Sequence, residues 1–146
     1  MRVVVDTNVW VSAVLAPDGF CAPLLDRLRE DDFQIVACPA MLRELTVVLH
    51  RPRIAQKYRL TPSTIARVVV LLLSRAESIP DPPILAVSRD PRDDVFVAAA
   101  VASKADYLVT RDDDLKRDSG VQVYLSRFGV QVQSVREFLE TLDSAL

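Results

Sequence analysis

Short β-branched runs alternate with segments of helical period along this chain, and that alternation limits it to a parallel sheet covered by helices on both faces. Strands are expected at residues 2–6 (Val3-Val4-Val5), 33–37 (Phe33-Gln34-Ile35-Val36-Ala37), 107–110 (Tyr107-Leu108-Val109-Thr110) and about 130–132. Runs this short and this apolar suit strands buried on both sides. An apolar segment runs from Val9 to Leu15, and Pro17-Asp18-Gly19 then makes a turn. Residues 22–30 follow as a helix with Leu24, Leu25 and Leu28 on one face, and Pro39 opens another that runs to about His50, where its missing N–H is not needed. Residues 62–76, capped by Thr61, place Ile65, Val68, Val69, Leu72 and Leu73 as an apolar set. Val95 to Ala102 is apolar nearly all round and so predicts a buried helix. Ser134-Val135-Arg136-Glu137 is a capping box for a last helix bearing Phe138, Leu139 and Leu142. Residues 79–91 hold Pro80, Pro82, Pro83 and Pro91 and read as a connecting loop, with a short strand at 84–87 left open. The fold class expected is α/β: a three-layer α/β/α sandwich around a mostly parallel sheet of four to five strands, one domain over 1–146.

Composition narrows the function classes. At 146 residues and 50% hydrophobic content the chain can bury a core of its own, yet no uncharged apolar stretch reaches the roughly 18 residues of a membrane span. Met1-Arg2 leads directly into a strand, so no signal peptide is read, and Cys21 and Cys38 lack the spacing of a zinc site or a disulfide framework. A reduced, cytoplasmic setting is expected. With three glycines there is no phosphate-cradling loop, and with His50 as the one histidine there is poor support for a nucleophilic triad. The net charge of −2 does not announce a nucleic-acid binder, so any such contact must come from a local patch.

Acids at strand ends carry the chemistry. Asp6 closes the first strand and Asp112 follows the strand at 107–110, where residues of an open α/β sheet line the ligand crevice. Glu44 lies beside the apolar stripe of its helix, three residues after Met41. Asp93 stands at the third helical position of Asp90-Pro91-Arg92-Asp93, with Asp90 as cap and Pro91 as first helical residue, a place where an acid closes a capping box and meets the helix dipole. Each has an ordinary explanation: a turn, a surface glutamate, a cap, and, for Asp112-Asp113-Asp114, a solvated loop. Together, four carboxylates in one crevice hold their charge only with cations between them, which points to a divalent-metal site for phosphate chemistry.

One patch is suited to a polyanion. Arg43, Arg51, Arg53, Lys57 and Arg59 lie in a stretch whose single acid is Glu44. Cations of this kind contact phosphates without reading sequence, although they equally describe a helix C-terminus and ordinary surface.

Five segments in order resemble the PIN-domain ribonucleases, and specifically the VapC-like toxins of type II toxin–antitoxin pairs. They are Val3-Val4-Val5-Asp6-Thr7-Asn8-Val9, Pro39-Ala40-Met41-Leu42-Arg43-Glu44-Leu45, Asp90-Pro91-Arg92-Asp93-Asp94-Val95-Phe96, Ala105-Asp106-Tyr107-Leu108-Val109-Thr110-Arg111-Asp112, and Ser134-Val135-Arg136-Glu137-Phe138-Leu139. The resemblance implies Mg²⁺- or Mn²⁺-dependent cleavage of RNA by Asp6, Glu44, Asp93 and Asp112, with Asp114 as an outer ligand. Asp93 rather than Asp94 matches, three residues before Phe96, though the adjacent acid leaves the choice open. It also implies a homodimer and a cognate antitoxin. Two other readings stand beside it: a catalytically silent PIN-like module that binds RNA or protein, and a haloacid-dehalogenase-type phosphatase. The last needs an acid two residues after the first, where this chain has Asn8.

Overall fold

The structure is a computed structural model that describes residues 1–145, apart from the side chain of Asp114. Its strands are β1 (Arg2–Val5), β2 (Gln34–Ala37), β3 (Ala76–Ser78), β4 (Tyr107–Val109) and β5 (Gln131–Gln133). Its α-helices are α1 (Thr7–Leu15), α2 (Ala22–Arg29), α3 (Pro39–His50), α4 (Pro52–Lys57), α5 (Pro62–Arg75), α6 (Asp94–Ser103), α7 (Asp113–Arg117), α8 (Ser119–Ser126) and α9 (Val135–Ser144). The strands form one five-stranded sheet in the order β3-β2-β1-β4-β5, with every pairing parallel.

Alternation along the central strand assigns the two helical layers. Val3 and Val5 face one core with Leu24 and Leu28 of α2, Leu45 and Leu49 of α3, Ile65 and Leu72 of α5 and Phe138 of α9. Val4 faces the opposite core with Phe96, Val97 and Ala100 of α6 and Val121 and Leu125 of α8. All three valines of β1 are essentially inaccessible to solvent, as a strand covered on both sides requires. The expected three-layer sandwich is therefore present, with the sheet wholly parallel.

The differences from expectation are local. β3 lies at 76–78, between the end of the helix expected at 62–76 and the loop expected from 79, and residues 84–87 form no strand. Ala76-Glu77-Ser78 has no apolar run because it is an edge strand, placed by its register against β2: Ile35 opposite Ala76, Ala37 opposite Ser78. Pairing with the neighbouring strand decides such a segment more than its own residues do. The apolar segment at 9–15 belongs to helix α1, and helices α4, α7 and α8 have no counterpart in the sequence reading. The capping boxes also divide: Ser134 and Glu137 make theirs, whereas Asp90 caps the N–H of Arg92 and opens a 3-10 turn (Pro91–Asp93) before α6 begins.

The strand order sets the site. From β1 the chain builds outward through β2 and β3 on one side, and β4 and β5 lie on the other. The reversal falls between β1 and β4, and a ligand crevice opens at the carboxyl ends of strands flanking such a switch point.

Candidate active site

Asp6 occupies that crevice and is fixed from three directions. Its backbone N–H donates to the Val109 carbonyl at 2.9 Å, tying the end of β1 to the end of β4. Its Oδ1 accepts from the Asn8 N–H at 3.0 Å and so caps α1, while its Oδ2 accepts from the buried Thr110 hydroxyl at 2.9 Å. The residue is only 1% exposed. Burial pushes its carboxyl up from the ordinary range, and the two hydrogen bonds oppose that rise in part.

Thr110 joins two of the acids. Its oxygen also accepts from the Asp112 N–H at 2.9 Å, so one hydroxyl positions both Asp6 and the residue after β4. Asp112 in turn accepts from the Leu115 N–H at 3.3 Å and starts α7. Across the crevice, half-buried Glu44 projects from α3, with the Thr7 hydroxyl donating to its Oε2 at 3.4 Å. Burial and then the charge of Asp6 raise the Glu44 carboxyl.

Asp93 ends the 3-10 turn and is the most perturbed acid of the group. Burial, followed by the charges of Asp112, Asp6 and Asp90, pushes its carboxyl from 3.8 up to about 7, with Arg92 pulling the other way. Asp93 and Asp112 share a pocket of about 190 Å³ with Ser88, Arg89, Asp90 and Asp118. Asp6 thus lies within electrostatic reach of Glu44, Asp93 and Asp112.

Neighbouring Asp94 has another task. It is 3% exposed, and its Oδ1 accepts the N–H groups of Val87 and Ser88 and the Ser88 hydroxyl, at 3.1, 2.7 and 2.8 Å. It pins the proline-rich loop to α6. Asp113 is exposed, and the side chain of Asp114 lies outside the described residues.

The acids provide an all-oxygen donor set, which is the chemistry hard divalent cations such as Mg²⁺ and Mn²⁺ prefer. Among the described residues, no three His, Cys, Asp or Glu side chains stand together closely enough to hold a metal ion. Burial and the neighbouring negative charges that raise Asp93 are what a cation there would offset, so the donor chemistry of these residues fits such an ion.

The basic residues spread along α3 and α4. Arg43 pairs with Asp81 at 3.3 Å, and Asp81 also accepts the Ala40 N–H. Arg51 joins the two helices and lies near enough to Glu44 to favour its charged form. Arg53 and Lys57 are exposed on α4, and Arg59 follows in the left-handed region at φ 54°. Sequence reading missed Thr7, Thr110, Asp118 and the cations Arg92 and Arg111. Asp118 had a visible signal: Asp-Ser-Gly before Val121 and Leu125 is a helix cap, and its carboxylate accepts the Gly120 and Val121 N–H groups.

Known proteins extend this picture. The PIN domain family model matches residues 2–114, a span that includes Asp6, Glu44, Asp93 and Asp112. An uncharacterized protein of Methanocaldococcus jannaschii is 28% identical over 145 residues, covering 98% of this chain and 92% of that protein. A chain in the crystal structure of VapBC2 from Rickettsia felis bound to a DNA fragment from their promoter superposes with a TM-score of 0.57. It shares 18% identity and covers 92% of this chain and 98% of its own, a likeness of fold. By the span of the family match and the parallel sheet that carries its acids, this chain belongs to the PIN-domain family.

Proposed function

We propose that the chain is a divalent-metal-dependent endoribonuclease, the toxin of a toxin–antitoxin pair. The observation that carries the reading is the electrostatic grouping of Asp6, Glu44, Asp93 and Asp112 around the β1–β4 switch point. When bound, Mg²⁺ or Mn²⁺ supplies charge stabilisation at a phosphodiester and makes water acidic enough to attack it near neutral pH. Asp6, Glu44, Asp93 and Asp112 would hold the ion. Asp6 is the rigid member, held by the ends of two strands and by Thr110, so the site's geometry is set before any substrate arrives. Arg92 and Arg51, whose charges act on Glu44, draw the RNA backbone in, and Arg43, Arg53, Lys57 and Arg59 extend that track.

The likeness to a VapBC2 chain supports an antitoxin as partner, and family resemblance supports a homodimer and a cytoplasmic site of action. The whole of 1–146 acts as one PIN domain in this reading. A silent binding module is the second reading, disfavoured because it has no use for a self-repelling acid cluster. Incubating structured RNAs with the wild type and with Asp6→Asn, each with Mg²⁺, Mn²⁺ or excess EDTA, separates the two. Cleavage by the wild type alone, lost in EDTA, is expected; full activity in EDTA refutes the metal dependence.

A further inference from the structure

A second groove lies beside Arg111, the residue before Asp112. It holds about 250 Å³ and is lined by Phe20, Tyr58, Arg111 and Ser12 among others. Ser12 and Arg111 also line an adjoining open cavity that reaches Asn8 and Asp112, so the two form one path from Phe20 to Asp112. Both aromatics stand in solvent: Phe20 is 61% exposed and Tyr58 42%. Neither serves the core, and each ring carries a cation. The Arg111 guanidinium lies 5.8 Å from the Phe20 centroid, and Lys57 Nζ lies 5.3 Å from that of Tyr58. Arg111 is further held by donating to the Ser12 hydroxyl, and it immediately precedes Asp112.

Exposed rings flanked by cations recognise a flat, electron-rich partner attached to negative charge. That is the chemistry of an unpaired nucleobase on its phosphate backbone: every base has a face to stack, and the cations meet the phosphates. The groove is smaller than the 300–1,000 Å³ typical of drug-sized ligand sites and is scaled to a single ring system. We propose that Phe20, Tyr58 and Arg111 form a stacking subsite for one unpaired base of a single-stranded RNA segment whose backbone continues to the acid crevice. The inference rests on the nuclease reading above and deepens it, because it assigns named residues to hold a base of the substrate beside the cleaved bond.

The test is fluorescence anisotropy with a labelled ten-nucleotide single-stranded RNA, and with the same strand annealed to its complement, in Mg²⁺. RNA integrity is followed on a gel, and where the strand is cut KM replaces Kd. Phe20→Ala and Tyr58→Ala are each expected to weaken single-strand binding about five- to hundredfold, the roughly 1–3 kcal/mol of one stacked base. Duplex binding should be little changed, since paired bases are already stacked. Phe20→Trp should keep the affinity and lose emission on binding the single strand, while Trp10, at 5% exposure, stays silent. Wild-type RNA binding that both alanine variants retain in full overturns the stacking subsite alone and leaves the groove as a protein-docking surface. A wild type that binds no RNA overturns both readings. Stacking effects without any cleavage overturn only the nuclease.

Discussion

Asp93→Asn should make the metal-free protein more stable at pH 8 and leave it unchanged near pH 4. Asp93 titrates near 7 in the folded chain against 3.8 ordinarily. Between those values the native state binds the proton that the unfolded chain has already lost, so stability falls as pH rises through this window. At about 1.4 kcal/mol per tenfold change in proton affinity, full expression of that difference would be about 4 kcal/mol at pH 8. The side chain is half-exposed, and solvent screens part of its repulsion, so about 2 kcal/mol is the expected gain. For a chain of this size that is roughly 4–8 °C in Tm. Urea unfolding of both proteins in EDTA from pH 4.5 to 8.5 gives the difference directly. Adding Mg²⁺ should stabilise the wild type, by about 2.7 kcal/mol at a hundredfold excess over Kd, and should narrow or reverse the variant's advantage. A gain of equal size at every pH, or none at pH 8, refutes an electrostatic origin in the acid cluster.

Other substitutions probe the supports of the site. Asp94→Ala should cost about 2–3 kcal/mol, because it strands the Val87 and Ser88 N–H groups that share its Oδ1; equal stability by urea melt would remove its loop-pinning role. Thr110→Val should cost about 1–3 kcal/mol and lower RNA cleavage, whereas Thr110→Ser keeps both, since the hydroxyl links Asp6 to the Asp112 N–H. Lys104→Gly should raise stability by about 0.5–1 kcal/mol, because residue 104 ends α6 at φ 54°, a conformation that costs a side chain and not glycine.

The sequence made the centre of the sheet legible and its edge obscure. Val3-Val4-Val5 and Leu108-Val109 announce themselves because a strand covered on both faces has no room for polar residues. Ala76-Glu77-Ser78 carries no such mark, and only its register against Ile35 to Ala37 makes it a strand. As candidates, Asp6 and Asp112 stand out by their places after strands, Asp93 by the helix start, and Glu44, in the middle of α3, only by the apolar stripe beside it. The choice between Asp93 and Asp94 could not be read, because it turns on where Val87 and Ser88 of the proline-rich loop present their N–H groups. Phe20 and Tyr58 were invisible as a pair for a related reason. They stand far apart in the chain, and folding alone sets them on one groove with Arg111.

Binding of Mn²⁺, followed by electron paramagnetic resonance of the free ion, tests most directly whether the acids act as one site. Wild type and the variants Asp6→Asn, Glu44→Gln, Asp93→Asn and Asp112→Asn are titrated at pH 7.5. A shared site requires saturable binding by the wild type and at least tenfold weaker binding, about 1.4 kcal/mol, in each variant. Wild-type affinity retained in all four would show that these carboxylates, though gathered at the end of β1, do not hold a metal together.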